Sequence, residues 1–197
     1  MDDKTISAYD SEAAAFAAEW EDEQSAPDDL RAAVNDYFSE GVTVDVGCGS
    51  GRDTAWLSHQ GFQVHGVDAS RGLLREAKKR HPSVEFWQDT LPDLATLKRG
   101  RYANVLCETV IMHLPLVSIA PTVRTLSRLL APSGTMYLTW RVTNEAHRRD
   151  EYGRLYTAFD ADLVRAEIEE CDWLLDQQST SASSGKTIHR VAVRRRP

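Results

Sequence analysis

Ala13, Phe16, Ala17 and Trp20 recur at helical spacing in the first forty residues, and after Pro27 the residues Leu30, Val34, Tyr37 and Phe38 repeat the pattern. Apolar positions three and four apart line one face of a helix, so two helices are expected ahead of the first strand. From Val42 the texture changes: short β-branched runs at 42–46, 63–67, 84–87, 103–107 and 135–140 alternate with amphipathic stretches. That alternation predicts an α/β architecture, a parallel sheet with crossover helices. The clearest helix follows Pro115, with Ile119, Val123, Leu126 and Leu130 on one stripe, and Pro132-Ser133-Gly134 then turns the chain into the next strand. A later helix is expected from Asp160 as N-cap, carrying Val164, Ile168 and Cys171 on one face. Two strand-like runs, 173–179 and 187–194, close the chain and are joined by a loop or hairpin over 180–185. No internal repeat is visible, and Arg194-Arg195-Arg196 reads as a solvated tail.

Composition narrows the class. The chain has 197 residues, 42% hydrophobic and 27% charged, with 11 Gly and 7 Pro, the profile of one folded domain rather than a disordered or fibrous chain. Thirty Asp plus Glu against 23 Lys plus Arg leave a net charge of -7, so a general grip on phosphate backbones, and with it a nucleic-acid partner, is not expected. Cys48, Cys107 and Cys171 are odd in number and too far apart for a zinc knuckle, and no basic-then-apolar leader opens the chain; a cytoplasmic location is the expectation. No apolar run approaches the roughly 20 residues a bilayer crossing needs, so no membrane association is expected. His59, His65, His81, His147 and His189 have no partners at metal-ligand spacing, and no metal is expected.

The chemistry concentrates in residues 44–57, where a β-branched strand runs into a glycine-rich turn and then a helix. Glycines at 47, 49 and 51 let a ligand lie against bare backbone, and the helix start offers free N–H donors. Spacing selects the ligand: a dinucleotide fingerprint would put its third glycine at position 52, which is Arg52, and no Gly-Lys pair follows for a phosphate loop. What stands instead is D-x-G-x-G-x-G, from Asp45 through Gly47 and Gly49 to Gly51.

With this motif the chain resembles the class I S-adenosylmethionine-dependent methyltransferases over about residues 5 to 195. The resemblance implies a Rossmann-like, doubly wound sheet of seven mostly parallel strands with an antiparallel C-terminal hairpin. It implies S-adenosyl-L-methionine as cofactor and a single methyltransferase domain over 1–197, with 1–40 as a helical lid and 41–197 as the core. Asp68, 17 residues after Gly51, would end the second strand and hold the ribose hydroxyls; a carboxylate suits a vicinal diol because each oxygen accepts from one hydroxyl. Asp89 and Thr90 would lie beside the adenine, and Cys48 would be a small residue under the ligand. The segment 109–115 would pass under the methionine moiety, with Glu108 contributing its backbone or its charge. Tyr9 would close over the cofactor and His113 would face the acceptor as positioning group or base. Arg141, by its place at the end of the fifth strand, reads either as a solvated strand terminus or as a bidentate site for an acceptor carboxylate, the second preferred.

Plainer roles exist for most of these residues. Asp68 can be a helix cap, Asp89 a turn cap and His113 a structural histidine, while Tyr9 and Phe16 can be packing residues and Arg148, Arg149 and Arg154 a solvated face. One departure stands out: many relatives carry an acidic residue where this chain has Asn104. The expected activity is O-, N- or S-methylation of a small molecule by a monomer or homodimer. The alternatives are detoxifying methylation of the tellurite or thiopurine type and a non-catalytic cofactor-binding module.

Overall fold

The computed structural model describes residues 1–25, 27–143, 146–181 and 184–197. Its helices are α1 (Asp3–Ser11), α2 (Ala13–Ala18), α3 (Asp28–Tyr37), α4 (Arg52–His59), α5 (Arg71–Arg80), α6 (Leu116–Leu129) and α7 (Asp162–Arg165). Strands β1 (Val42–Val46), β2 (Gln63–Asp68), β3 (Glu85–Gln88), β4 (Tyr102–Cys107) and β5 (Leu130–Arg141) are followed by β6 (Arg148–Arg149), β7 (Leu155–Tyr156), β8 (Cys171–Thr180) and β9 (Thr187–Arg195). Seven of them form one sheet in the order β3-β2-β1-β4-β5-β9-β8, and β6 and β7 pair as a separate ribbon. β1 to β5 run parallel to one another, whereas β9 runs antiparallel to both β5 and β8, as the C-terminal hairpin requires.

Alternation along the strands sorts the core into two layers. Val105, Cys107, Met136, Leu138, Val191 and Val193 pack with Ile119, Val123 and Leu126 of α6. Leu106, Tyr137 and Ala192 pack instead with Leu30, Ala33 and Val34 of α3 and with Leu57 of α4. Each fully buried aliphatic side chain contributes about 1.5–3 kcal/mol, so the sheet's register is strongly set by both layers.

The structure departs from the periodicity in several places. α1 lies ahead of the two expected helices; it packs through Thr5 and Ala8, which carry no hydrophobic signal, and is capped by Asp2, whose carboxylate accepts from the Thr5 N–H at 2.9 Å. A single π-helical turn, Glu19–Glu23, extends α2 and carries Trp20. Leu130 begins β5 rather than ending α6, and Pro132-Ser133-Gly134 belongs to a bulge inside that strand, because Tyr102 pairs with Leu130 while Asn104 pairs with Thr135. α7 is short. Its N-cap is Ala161 rather than Asp160, which lies one residue earlier and accepts from the Asp162 N–H at 2.8 Å, and Cys171 lies in β8 opposite Arg195, so the helical stripe stops before it. The arginine tail is exposed at Arg194 and Arg196 yet tied down: Arg194 and Arg195 belong to β9, Arg194 donates to Tyr37 O, Arg195 to Leu130 O and Arg196 to Asp172. Within the expected loop 180–185, Ala182 and Ser183 lie outside the described residues. The lid expected over 1–40 divides, since α3 is a core layer beneath the sheet and only the chain before it reaches the cavity described next.

Candidate active site

β1 delivers the chain to Gly47 at the carboxyl end of the sheet, where ligands bind in open α/β folds. Gly47 has φ +78°, and a Cβ there would stand 2.3 Å from a Val110 methyl, so no other residue fits without displacing the turn. The Gly47 N–H donates to Val67 O at 2.7 Å, tying the turn to the end of β2. The Gly49 N–H donates to one oxygen of Asp68 at 3.0 Å and the Ser70 N–H to the other at 2.8 Å. Asp68 is thereby fixed on the rim of the site by backbone alone, although burial raises its pKa.

A cavity of about 530 Å³ opens over this turn. Tyr9, Gly47, Cys48, Gly49, Asp68, Glu108, His113 and Arg141 all line it, although they come from six separate stretches of chain. The other expected site residues do not. Asp45 is 3% exposed and turned behind the loop, where the Thr54 hydroxyl donates to it at 2.6 Å and burial pushes its pKa up to about 7. Gly51 caps α4 in the left-handed conformation beneath the turn. Asp89 borders a small adjoining recess, and its carboxylate is engaged by the Thr90 and Thr96 N–H groups, each at 2.7 Å, which is the work of a turn cap. Thr90 lines neither space.

Glu108 ends β4 inside the cavity. The Thr139 hydroxyl donates to it at 2.7 Å and accepts from the Thr109 N–H at 2.9 Å. Burial pushes the Glu108 pKa up to about 7, so a nearby cation would draw the proton off. His113 is 5% exposed on the 3-10 turn Ile111–His113. Its Nδ1 lies 2.6 Å from Leu155 O, which can only accept, so Nδ1 carries the proton and Nε2 has the free lone pair. The Tyr9 hydroxyl is 3.1 Å from that nitrogen and donates to it. Burial pushes the His113 pKa down to about 4, leaving a neutral ring at pH 7.

The roof over these groups is aromatic and was hidden from spacing rules. Phe16 and Trp20 stack at 5.5 Å, Tyr9 meets both edge-on, and Trp20 sits directly over Gly49, where a Cβ would come within 2.9 Å of its ring. Of the arginines expected to form a solvated face, Arg154 is built into this roof, whereas Arg148 and Arg149 are exposed beside it. Arg154 pairs with Asp150 at 2.7 Å and lies over Phe16 at 4.7 Å and Tyr9 at 5.4 Å; Arg149 pairs with Asp2 at 2.8 Å; Arg148 stacks on Tyr156. Trp20, Arg154 and Tyr156 are cavity residues that sequence reasoning missed; an arginine cluster flanked by Tyr152 and Tyr156 was the available signal. Asn104 is buried away from the cavity, where its amide donates to Ser39 O at 2.7 Å and to the Thr43 hydroxyl at 2.9 Å while its carbonyl accepts from the Ser39 N–H. A carboxylate could not make those donations, so the departure from an acidic residue is explained by this tie.

Among the described residues, no group of three or more His, Cys, Asp or Glu is placed to hold a metal, and no helix is long and apolar enough to cross a membrane. Residues 43–134 match the family model described as a methyltransferase domain, and the strand order above is the sheet that the resemblance to class I S-adenosylmethionine-dependent methyltransferases implies. Over 102 residues the chain is 29% identical to the ubiquinone biosynthesis O-methyltransferase of Xanthomonas oryzae pv. oryzae, a match covering 49% of this chain and 41% of that protein. The fold is similar to that of the 1,6-didemethyltoxoflavin-N1-methyltransferase of Burkholderia thailandensis, solved with its substrate and S-adenosylhomocysteine: TM-score 0.74, 21% identity, 98% of this chain and 88% of the other. It is also similar to that of the cyclase SpnF, with TM-score 0.67, 15% identity and coverage of 86% and 80%.

S-adenosylmethionine is the cofactor of this class, and the residues present fit it. Glu19, Asp53, Asp68 and Glu108 bring four carboxylates to the cavity, matching a ligand that carries a sulfonium and an ammonium. The glycine turn supplies a floor without side chains, and the volume lies in the range of small-molecule sites.

Proposed function

We propose that the protein transfers the methyl group of S-adenosylmethionine to an oxygen, nitrogen or sulfur atom of a small molecule. The observation that carries this reading is the convergence, in one cavity, of the Gly47–Gly49 turn and Asp68 on one side with the Tyr9–His113 pair on the other. When bound, the cofactor supplies an electrophilic methyl on a cationic sulfur. The protein's part is alignment and charge placement, since holding two reactants at near-attack distance accounts for much of the barrier lowering in such transfers.

Asp68 accepts hydroxyl donors on its rim, and Glu108, ionised by a neighbouring cation, holds the donor end of the site at negative potential. His113 presents a neutral Nε2 lone pair toward the acceptor side, oriented by Leu155 O. An acceptor proton is received there through the Tyr9 hydroxyl, which donates its own proton to Nε2 as it takes the acceptor's. With its pKa near 4, His113 serves acceptors that become acidic as the new bond forms. Residues 1–24 act as the lid: Thr5, Tyr9 and Trp20 line the cavity, and Asp10 anchors the segment by accepting from the Gly72 N–H and the Ser70 hydroxyl, each at 2.7 Å.

Calorimetry with S-adenosylhomocysteine and with NAD tests the reading. The expected result is binding of the first and not the second, with S-adenosylhomocysteine at about 100 times its Kd raising the unfolding midpoint by about 5–11 °C. Binding of NAD alone would overturn it. Transfer of labelled methyl to a panel of small acceptors then separates an enzyme from a module that only binds.

A further inference from the structure

The cavity is electrically divided. Of its carboxylates, Asp68 and Glu108 stand at the ends of β2 and β4, Asp53 in the first turn of α4 and Glu19 on the turn after α2, whereas Arg141 and Lys186 stand at the ends of β5 and the β8–β9 turn. The other two cations are already answered within the protein: Arg52 is paired to Asp53 at 3.0 Å and Arg154 to Asp150 at 2.7 Å. Arg141 is not. Among the described residues its guanidinium makes no hydrogen bond or ion pair to a carboxylate, and it lies 5.3 Å from the centroid of the Tyr156 ring. The position is rigid, because Arg141 is the last residue of β5 and its backbone pairs with Ile188 of β9. Tyr156 is 7% exposed and packs against His113 at 4.8 Å, so the arginine is mounted beside the acceptor end.

A partly buried cation without a counter-charge is costly unless something else neutralises it. A guanidinium laid flat on a ring keeps its in-plane N–H donors free, and these match the two oxygens of a carboxylate or phosphate. Lys186, exposed on the turn across from it, adds a second positive charge without a carboxylate partner among the described residues. We infer that the acceptor is an oxyanion, a small molecule bearing a carboxylate or phosphate that is seated on Arg141 and Lys186 while its nucleophilic atom faces His113. This rests on the methyl-transfer reading and gives it a substrate class. It also gives the division of charge a purpose: donor and acceptor enter with opposite charges, each drawn to its own end of the cavity, which excludes reversed binding.

The test titrates the full chain, saturated with S-adenosylhomocysteine, with benzoate, phenyl phosphate and neutral benzamide. At least one anion should bind about tenfold or more tightly than benzamide, and the Arg141→Gln variant should lose about 10- to 100-fold of that affinity with S-adenosylhomocysteine binding unchanged. Preference for benzoate identifies a planar carboxylate site and preference for phenyl phosphate a tetrahedral one; either supports the inference. Should Arg141→Gln fail to fold, Lys186→Gln on the exposed turn provides the reading, with a few-fold loss of anion affinity expected. Anions no better than benzamide, or affinity for them unmoved by substitution at these positions, would overturn the oxyanion site while leaving methyl transfer standing. Absence of S-adenosylhomocysteine binding to the unaltered protein would remove both.

Discussion

The wall of the cavity under β1, β2 and β4 meets a ligand with bare backbone and with a carboxylate, Asp68, fixed by backbone donors, whereas the opposite wall, from α1, α2 and the β6–β7 ribbon, meets it with rings and arginines. The first is assembled from neighbours in the chain: Gly49 reaches Asp68 across 19 residues. The second joins residues far apart, with Tyr9 and His113 separated by 104 positions, Asp2 and Arg149 by 147, and Thr5 and Leu155 by 150. A backbone-built surface tolerates little side-chain variation and so serves a constant ligand. The side-chain surface can be altered residue by residue without disturbing the sheet, and so serves the ligand that differs between relatives.

The comparison is broken most directly at Gly47. Gly47→Ala places a Cβ against Val110 at positive φ, and a loss of about 2–5 kcal/mol of stability in urea denaturation is expected, with cofactor affinity falling alongside. Unchanged stability would mean that the turn is not the rigid element described. Asp68→Ala should weaken S-adenosylhomocysteine binding by about 1.5–3 kcal/mol, the range for hydrogen bonds to a charged group, and leave the fold intact. If its Kd does not move, the ribose lies elsewhere.

A pH series sharpens the charge on the same wall. Because the ligand-free Glu108 pKa is about 7, binding a cation beside it must expel a proton below that pH. Affinity for S-adenosylmethionine should therefore rise by up to about tenfold between pH 6 and 7 and level off above, more steeply than for uncharged-sulfur S-adenosylhomocysteine, and Glu108→Gln should flatten the slope. The stability of the unliganded protein moves the other way: a carboxyl whose pKa is raised by folding contributes fully below its unfolded value and loses that contribution as pH rises through 7. The mildest effect belongs to the roof. Tyr9→Phe removes one donor from His113 Nε2, and kcat/KM for the acceptor should fall by about fivefold, roughly 1 kcal/mol, with cofactor Kd unchanged. An equal loss in both would show that Tyr9 belongs to the cofactor wall.

Legibility follows the same divide. Gly47, Gly49 and Asp68 could be read because a turn and the next strand end lie at fixed distances along the chain. Asp45 and Gly51 belong to the same motif yet face away, Asp45 because it lies in the row of β1 opposite Gly66 and Leu106, inside the sheet. Asp89 was readable as an acidic residue after β3, but its carboxylate is consumed by its own turn. α1 carried no apolar stripe, because its buried face is made by Thr5 and Ala8. The pairing of Arg154 with Phe16 and Tyr9 has no spacing rule to reveal it; only the topology, which returns residues 148–156 to the N-terminal helices, brings them together.

That topology also has a consequence for how the chain is made. α1 and α2 emerge from the ribosome first, yet Leu155, which donates to Thr5, follows 150 residues later, a wait of about 8–30 s at ordinary rates of synthesis. Their first partner comes sooner: Asp10 accepts from Gly72 only 62 residues on, and a Cβ at Gly72 would already touch Ala13 at 2.9 Å. The N-terminal segment can thus dock on α5 while the second half of the sheet is still being made, and be latched when the β6–β7 ribbon arrives. Docking early shelters Phe16 and Trp20 during that interval, so a bulky residue at Gly72 should lower the yield of native protein out of proportion to its effect on the finished fold.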